Sequence, residues 1–567
     1  MTPYSQARQR VVVIGGGLAG ITAAIALAEA GAAVTLLEAR PRLGGATCSF
    51  TRDGLVVDTG QHVFLGCCTA YRGLLDKLGM TAHAPLQRRF DVTVLAPGPS
   101  APAGQVRQGR LRRTALPGPL HMLPALARYP FLSFSERSRV SRPALAMRRV
   151  DPADPVVDEQ RFGDWLAARG QSDRARRALW DLFTVSALNI AGDDASLALA
   201  ATVVKTGLLG KNNAADIGVP ALPLGELHGD AAAALLTRLG AQVLIGAKVS
   251  AIDPGEDADA RFRVRLARPD ESAAEGERAT EIEADAVVLA VPHETAARLI
   301  PPGALPDATV AGWTGLGASP IVNVHVIYDR PVMDLPFAAA VDSPVQWVFD
   351  RTRISGLDRF PAPTSHAAQA AAESPQQGES RVSPPSDVVK PGFHHAAADD
   401  AATASAAAGA YGAHDAKDAA HRPQYLAISL SAADEYVDVP AARLRELFLP
   451  ALAELFPAAR DAQVIEFFVT RERRATFRQA PGTARLRSGP GTELPGLVLA
   501  GAWTDTGWPD TMEGAVRSGL SAAIELRRNV LSVPGSSALG LSEAGSSDPV
   551  ISGSEPNASV STIGVTQ

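Results

Sequence analysis

Cysteine is nearly absent. The 567 residues include three, Cys48, Cys67 and Cys68. That excludes a disulfide framework and fits a reducing compartment. No CxxC and no His/Cys zinc spacing occurs, so a structural zinc site is not expected. Basic residues are not in excess: 54 Lys+Arg stand against 60 Asp+Glu, a formal net charge of −6. A nucleic-acid binder would show the opposite balance. Aromatics are sparse at 5%, while Gly (50) and Pro (42) are plentiful. A long hydrophobic run is also missing, with one apparent exception. Arg8 and Arg10 precede an uncharged stretch, Val11–Ala28, that mimics a signal peptide or membrane helix. Four glycines at dinucleotide-binding spacing interrupt it, so it reads as a strand, a turn and a helix start. Ser196–Gly210, apolar except Lys205, is too short to span a bilayer and reads as core or pocket wall. The expected location is cytoplasmic, with peripheral membrane contact left open.

What is present is a large apolar fraction, 46%, enough for a sizeable core. At about 150 residues per domain the length allows up to about four domains, or two large ones. Two segments do not read as folded. Residues 362–421 hold 20 Ala and no Leu, Ile, Met or Trp. Such a segment buries too little apolar surface to offset its ordering entropy. Five of the eleven histidines lie there: His366, His394, His395, His414 and His421. A metal-binding tract is one reading of them, scattered solvated side chains the other. The Ser/Gly-rich tail 532–567 reads as disordered too.

The rest alternates strand and helix patterns, which gives an α/β fold class. Val11–Ile14 and Val34–Glu38 read as buried strands around an Ala-rich helix, Leu18–Ala30. Gly229–Leu239 reads as a helix feeding a strand at Gln242–Ile245. Ala286–Ala290 and Leu497–Ala500 are further buried strands, and a helix is expected from about Thr511 to Arg527. These pieces make a discontinuous Rossmann-type domain over 1–90, 221–300 and 485–531. The intervening 91–220, 301–361 and 422–484 then form an inserted α+β substrate domain.

Four motifs carry chemistry. Gly15-Gly16-Gly17-Leu18-Ala19-Gly20 is a GxGxxG between a strand and a helix. Its glycines permit a tight turn and close approach of backbone to a pyrophosphate, and the helix start supplies free N–H groups. Glu38 follows Gly15 by 23 residues, where a ribose-binding acid is expected. Next, Glu38-Ala39-Arg40-Pro41-Arg42-Leu43-Gly44-Gly45-Ala46 adds a basic turn and a glycine pair that bring Arg40, Arg42, Gly45 and Ala46 towards phosphates. This extension marks FAD proteins of the two-dinucleotide-binding type rather than plain NAD dehydrogenases. The third motif, Val57-Asp58-Thr59-Gly60-Gln61-His62, ends a strand in a glycine turn. His62 has two readings there, a proton-passing group facing a flavin or a hydrogen-bonded structural histidine. The fourth runs from Gly501 through Ala502, Trp503, Asp505, Trp508 and Asp510 to Thr511, Met512, Gly514 and Gly519. Thr511 and Met512 fall where helix amides meet a flavin carbonyl or ribityl chain. Gly514 and Gly519 are expected to allow close helix packing.

Together these segments resemble the flavin amine oxidase and phytoene desaturase superfamily, and within it the hydroxysqualene dehydroxylases of bacterial hopanoid and squalene synthesis. DTGQHVFLGCCTAYRGLLDKLG (Asp58–Gly79) and TGWPDTMEGAVRSG (Thr506–Gly519) carry the resemblance. Carotenoid desaturases share parts of both. The resemblance implies a non-covalent FAD enzyme with an apolar triterpene substrate, and it adds Val249 to the cofactor-binding set. It implies reductive removal of an allylic hydroxyl, giving squalene. The desaturases supply the oxidative alternative, and an amine oxidase or a non-catalytic flavoprotein the remoter ones. One departure stands out: the superfamily's acid after the glycine is here Ala502. Losing one such hydrogen bond costs about 0.5–1.5 kcal/mol of binding.

The implied chemistry needs an apolar pocket, a proton donor and exclusion of water. Donor candidates are His62, Asp505 and Asp510; both aspartates also suit turn or cap roles. Arg110, Arg112 and Arg113 precede the apolar Leu116–Phe134. That segment reads either as a membrane-docking surface or as a wall of the substrate domain. Cys67 and Cys68 are expected to start a helix as buried small hydrophobes and not a redox pair. The resemblance leaves open whether the enzyme works alone or beside the squalene-pathway synthases that make its substrate.

Overall fold

The computed structural model describes residues 8–98, 106–118, 120–255, 261–267, 281–359 and 422–529. The expected insertion at 362–421, with its histidines, and the expected tail at 532–567 lie outside the described residues.

The chain opens on β1 (Arg10–Ile14), α1 (Leu18–Glu29) and β2 (Ala33–Glu38). β3 (Leu55–Asp58) leads into the Gly60 turn, and α2 (Thr69–Lys77) follows. β4 (Asp91–Ala96) pairs with β5 (Arg107–Arg112) as a hairpin. A helical stretch comes next: α3 (Leu123–Ala127), α4 (Phe134–Arg139), α5 (Ser141–Met147) and, further on, α6 (Leu197–Val203). The chain returns through α7 (Ala231–Arg238), β6 (Gln242–Ile245) and β7 (Ala286–Leu289). It then builds β8 (Ser319–Tyr328), β9 (Phe337–Ala340), β10 (Trp347–Asp350) and β11 (Gln424–Leu430). Last come α8 (Ala441–Leu455), β12 (Val464–Thr476), β13 (Leu497–Leu499) and α9 (Met512–Asn529).

Five strands form an all-parallel sheet in the order β13-β7-β1-β2-β6. It gathers strands from the start, the middle and the end of the chain. Val11–Ile14 are all buried, as a central strand covered on both faces requires. Pro292, just past β7, cannot donate to a ladder and stops that pairing. α1 and α9 touch through backbone. A Cβ on Gly519 would sit 2.2 Å from the Ala19 carbonyl oxygen, so no larger residue fits that crossing. Gly514 was expected to serve packing as well. Its close neighbour is instead Pro509 O, 2.5 Å from a built Cβ, in the turn that leads into α9.

The second sheet has seven strands, β12-β8-β11-β10-β9-β4-β5. Only β9 and β4 pair in parallel. Strand alternation divides its faces. Val322, Val324 and Val326 pack under α8 with Leu444, Phe448 and Leu452. On the opposite face Val94, Ala339 and Phe349 share an apolar cluster with Met147 and Leu199 of the helical stretch. Asn323 and His325 also occupy that opposite face, where β8 meets the Gly60 turn.

Candidate active site

The glycine turn after β1 is shaped by contacts that exclude side chains. Gly15 has φ +109°, and a Cβ there would lie 2.2 Å from Ala290 O. A Cβ on Gly20 would lie 1.9 Å from Gly15 O. Gly17 differs, since a Cβ there would meet only Gly45 Cα, at 3.9 Å. That side of the turn is therefore open. Gly17 caps α1 without any side-chain hydrogen bond, and the first backbone bond is Ile21 N to Gly17 O. The amides of Leu18, Ala19 and Gly20 are left for an anion.

Glu38 ends β2 beside this turn and is buried. Its carboxylate accepts from Gly16 N and from Arg40 N, both at 2.7 Å. The acid thus holds the glycine turn and the basic turn together. Each oxygen keeps a further lone pair for a ribose hydroxyl. Gly44 N donates to Gly16 O (2.8 Å), which draws Gly45 against Gly17, while Ala39, Arg40, Arg42 and Ala46 face outward. Gly246 N bonds Arg40 O and Ala247 N bonds Glu38 O. Those two bonds bring the backbone leading to Val249 alongside the same turn.

The third motif is anchored by charge. Asp58 is buried and accepts from Ser49 Oγ (2.6 Å) and Leu224 N (2.9 Å), and it pairs with buried Arg351. The turn beyond it presents Gly60, Gln61 and His62. Asn323 of β8 donates from Nδ2 to Thr59 O (3.3 Å), which docks the turn on the seven-stranded sheet. His62 Nδ1 lies 3.1 Å from Gly60 O. A carbonyl only accepts, so Nδ1 carries the proton and Nε2 is an acceptor in the neutral ring. Desolvation holds the His62 pKa below its ordinary value, against the opposing pull of the Gly60 carbonyl and Asp58. The resting ring is therefore neutral, with Nε2 able to accept a hydrogen bond. Behind it, His228 bonds the Tyr71 hydroxyl (2.8 Å), and burial pushes its pKa down to about 3.

The fourth motif is organised by Arg487, which no sequence pattern singled out. This buried guanidinium donates to the carbonyls of Ala502 (3.1 Å), Trp503 (3.2 Å) and Thr504 (2.5 Å). Ala502 thus contributes through its backbone. Trp503 is turned into the core. It is buried, donates to Val291 O (2.8 Å) and packs edge-on against Trp313 with centroids 4.8 Å apart. Trp508 is half-buried under Arg517, 4.6 Å from the ring centroid. Asp505 is exposed and closes a turn onto Gly507 N (3.3 Å). Asp510 is a different kind of acid. Its amide donates to Gln479 and its Oδ2 accepts from Phe477 N (2.9 Å). Burial raises its pKa to about 6, although the Phe477 amide and Arg487 oppose the shift. Thr511 and Met512, half-buried, open α9 directly after it. Glu513, also missed from sequence, is buried and accepts from Ala70 N and Tyr71 N at the start of α2.

The turn of His62 and the loop of Asp510 are anchored at different points along β8. Asn323 touches the turn before His62, whereas Ser319 pairs with Thr476, next to the Phe477 that holds Asp510. Four residues of strand separate the two, about 13 Å.

One open reading is narrowed and one expectation is corrected. Arg110, Arg112 and Arg113 form no free basic arm. Arg110 and Arg112 pair with Asp91, and Arg113 with buried Asp216 (2.6 Å). Cys67 and Cys68 are half-buried, not buried; only Cys48 is. Cys68 caps α2, and its hydrogen bond with Cys67 lowers the Cys67 pKa and raises its own.

The open face at Gly17, the uncapped α1 and the Glu38 carboxylate fit the phosphates and ribose of FAD. Fold and site define an FAD-dependent oxidoreductase with a Rossmann-type domain and a second, mixed-sheet domain. The family model described as flavin containing amine oxidoreductase matches residues 18–356 and 395–526, and the chain belongs to that family. The chain is 27% identical to hydroxysqualene dehydroxylase of Rhodopseudomonas palustris, over 90% of this chain and 97% of that protein. It is 24% identical to zeta-carotene desaturase of Zea mays, over 95% and 88% respectively. Putrescine oxidase with bound putrescine superposes with TM-score 0.60 at 18% identity, covering 92% of this chain and 99% of that one. No helix among the described residues is long and apolar enough to cross a membrane.

Proposed function

We propose that this flavoenzyme removes the hydroxyl of hydroxysqualene reductively and releases squalene and water. The observation that carries the reading is the apolar face of the seven-stranded sheet, with Val94, Ala339 and Phe349, on the side where Asn323 docks the Gly60 turn. A long hydrocarbon with one hydroxyl suits such surroundings, and every polar group left unpaired there would cost binding. The similarity to hydroxysqualene dehydroxylases over nearly their whole length supports it.

FAD, when bound and reduced, supplies hydride to the allylic carbon. The protein's part is to bind the chain, exclude water and bring a proton to the departing oxygen. The C–O bond breaks, a C–H bond forms, and the hydroxyl leaves as water with that proton. Asp510 suits the donor role, because its carboxyl is held protonated up to about pH 6 and its Oδ1 has no partner among the described residues. His62, neutral with an accepting Nε2 and anchored further along β8, suits contact with the flavin rather than with the departing hydroxyl.

The desaturase similarity supports a second reading, the same cofactor run in the oxidative direction. Product analysis separates the two. FAD-loaded protein, reduced anaerobically, is mixed with hydroxysqualene and the extract is read by mass spectrometry. Squalene in proportion to reduced flavin is expected. No squalene from protein with bound, reducible flavin would overturn the proposal and make phytoene the next substrate.

A further inference from the structure

The helical stretch beside the seven-stranded sheet is apolar on both sides. Its inner side chains, Met122, Tyr129, Leu132 and Met147 among them, are buried in the core. Its outer ones are not. Leu116, Leu120 and Leu123 are each about half exposed (45–47%), Leu145 is 59% exposed and Phe134 82%. Eleven large apolar side chains are exposed among the described residues, and five fall within these thirty positions. Scattered single exposures need no explanation, but a concentration does.

The same stretch is strongly basic. Between Leu116 and Arg149 it carries six arginines and one glutamate, a local charge of +5 on a chain of net −6. Arg128, Arg139, Arg142, Arg148 and Arg149 are exposed and make no ion pair among the described residues. Arg110 and Arg112, the first candidates for such a role with Arg113, share the one carboxylate of Asp91, and Arg113 is paired with buried Asp216.

We propose that this face, from Leu116 to Arg149, is a docking surface for a lipid bilayer with anionic headgroups. The exposed leucines and Phe134 enter the headgroup region, and the unpaired arginines meet lipid phosphates. A second copy of the chain fits poorly, because a two-fold contact would set one +5 patch against another. The proposal goes beyond the dehydroxylase reading and stands whether that reading holds or not.

Vesicle co-sedimentation of the full-length, FAD-loaded protein tests it. One set of vesicles is phosphatidylcholine with roughly one-third phosphatidylglycerol, the other phosphatidylcholine alone. The wild type is expected to sediment with the anionic set, and less so as salt rises. Two combined variants are compared, Leu120→Ser/Leu123→Ser/Phe134→Ser and Arg139→Gln/Arg142→Gln/Arg148→Gln/Arg149→Gln. Each should lower the partition coefficient about tenfold or more. Their flavin-to-protein absorbance ratio should match the wild type, since every altered side chain is exposed. Three results would each overturn the proposal: wild type left in the supernatant, variants that sediment as well as wild type, or equal binding to both vesicle sets. Self-association that disappears in the variants, with no vesicle binding, would give the face to a second copy instead.

Discussion

Arg351 closes a buried ion pair on Asp58, although the two lie 293 residues apart in sequence. The pair fastens the strand that leads to Gly60-Gln61-His62 onto the end of β10. Removing one partner leaves the other charge buried, which costs about 3–5 kcal/mol. Arg351→Met should therefore lower the urea midpoint sharply. The double variant Arg351→Met/Asp58→Asn should recover part of the loss, because an amide oxygen still accepts from Ser49 and Leu224 N. A single variant no less stable than wild type would show that the pair holds nothing.

Glu38 joins two turns through Gly16 N and Arg40 N. Hydrogen bonds to a charged group contribute roughly 1.5–3 kcal/mol each. Glu38→Ala should loosen the glycine turn and cut FAD retention at least about tenfold, read as the flavin-to-protein absorbance ratio after dialysis. Unchanged retention would remove Glu38 from the cofactor site.

Acid should unfold this protein early. His228 and His325 are buried neutral, each with its pKa pushed by burial from 6.5 to about 3. Their folded values lie below the unfolded one, so the stability they support is complete above about pH 6.5. It is lost as pH falls towards 3, at up to about 1.4 kcal/mol per pH unit for each ring. Urea midpoints at pH 7 and pH 5 measure this, and His228→Gln/His325→Gln should flatten the difference.

Asp510 has the opposite sign. Its folded pKa of about 6 lies above the ordinary 3.8, so the protonated form dominates in the folded protein at mildly acid pH. If it donates the proton, turnover falls as pH rises through about 6. Asp510→Asn should then lower turnover about 10²–10⁴-fold while leaving flavin content intact. A flat profile with full activity in the variant would clear Asp510 of the role. His62→Ala should reduce turnover more than FAD content; equal loss of both would make His62 structural.

Much of the Rossmann-type domain was legible because its signals are local. Buried runs such as Val11–Ile14 and Val34–Glu38 need both faces covered, and the observed elements end within two residues of the expected positions for β1, α1, β2 and α9. Arg487 and Glu513 were not legible. Nothing in an isolated arginine or glutamate tells that it will be buried against carbonyls or amides from another part of the chain. The place of Trp503 was not legible for the same reason. The motif places it in the loop, but only packing against Trp313 turns it inward.

Short-range signals were enough to locate the glycine turn, its acid and the parallel strands around them. Those depend on neighbouring residues, on backbone freedom at glycine and on alternation that short segments already carry. Tertiary structure decided which charges are free and which are spent. Arg110, Arg112 and Arg113 read as a basic arm until Asp91 and Asp216 came to meet them, while the arginines from Arg128 to Arg149 have no carboxylate partner among the described residues. It likewise separated Asp510 from Asp505, two acids five residues apart, one desolvated and one in water. Charge is a property of a residue, but its energy depends on what the rest of the chain brings within a few ångströms.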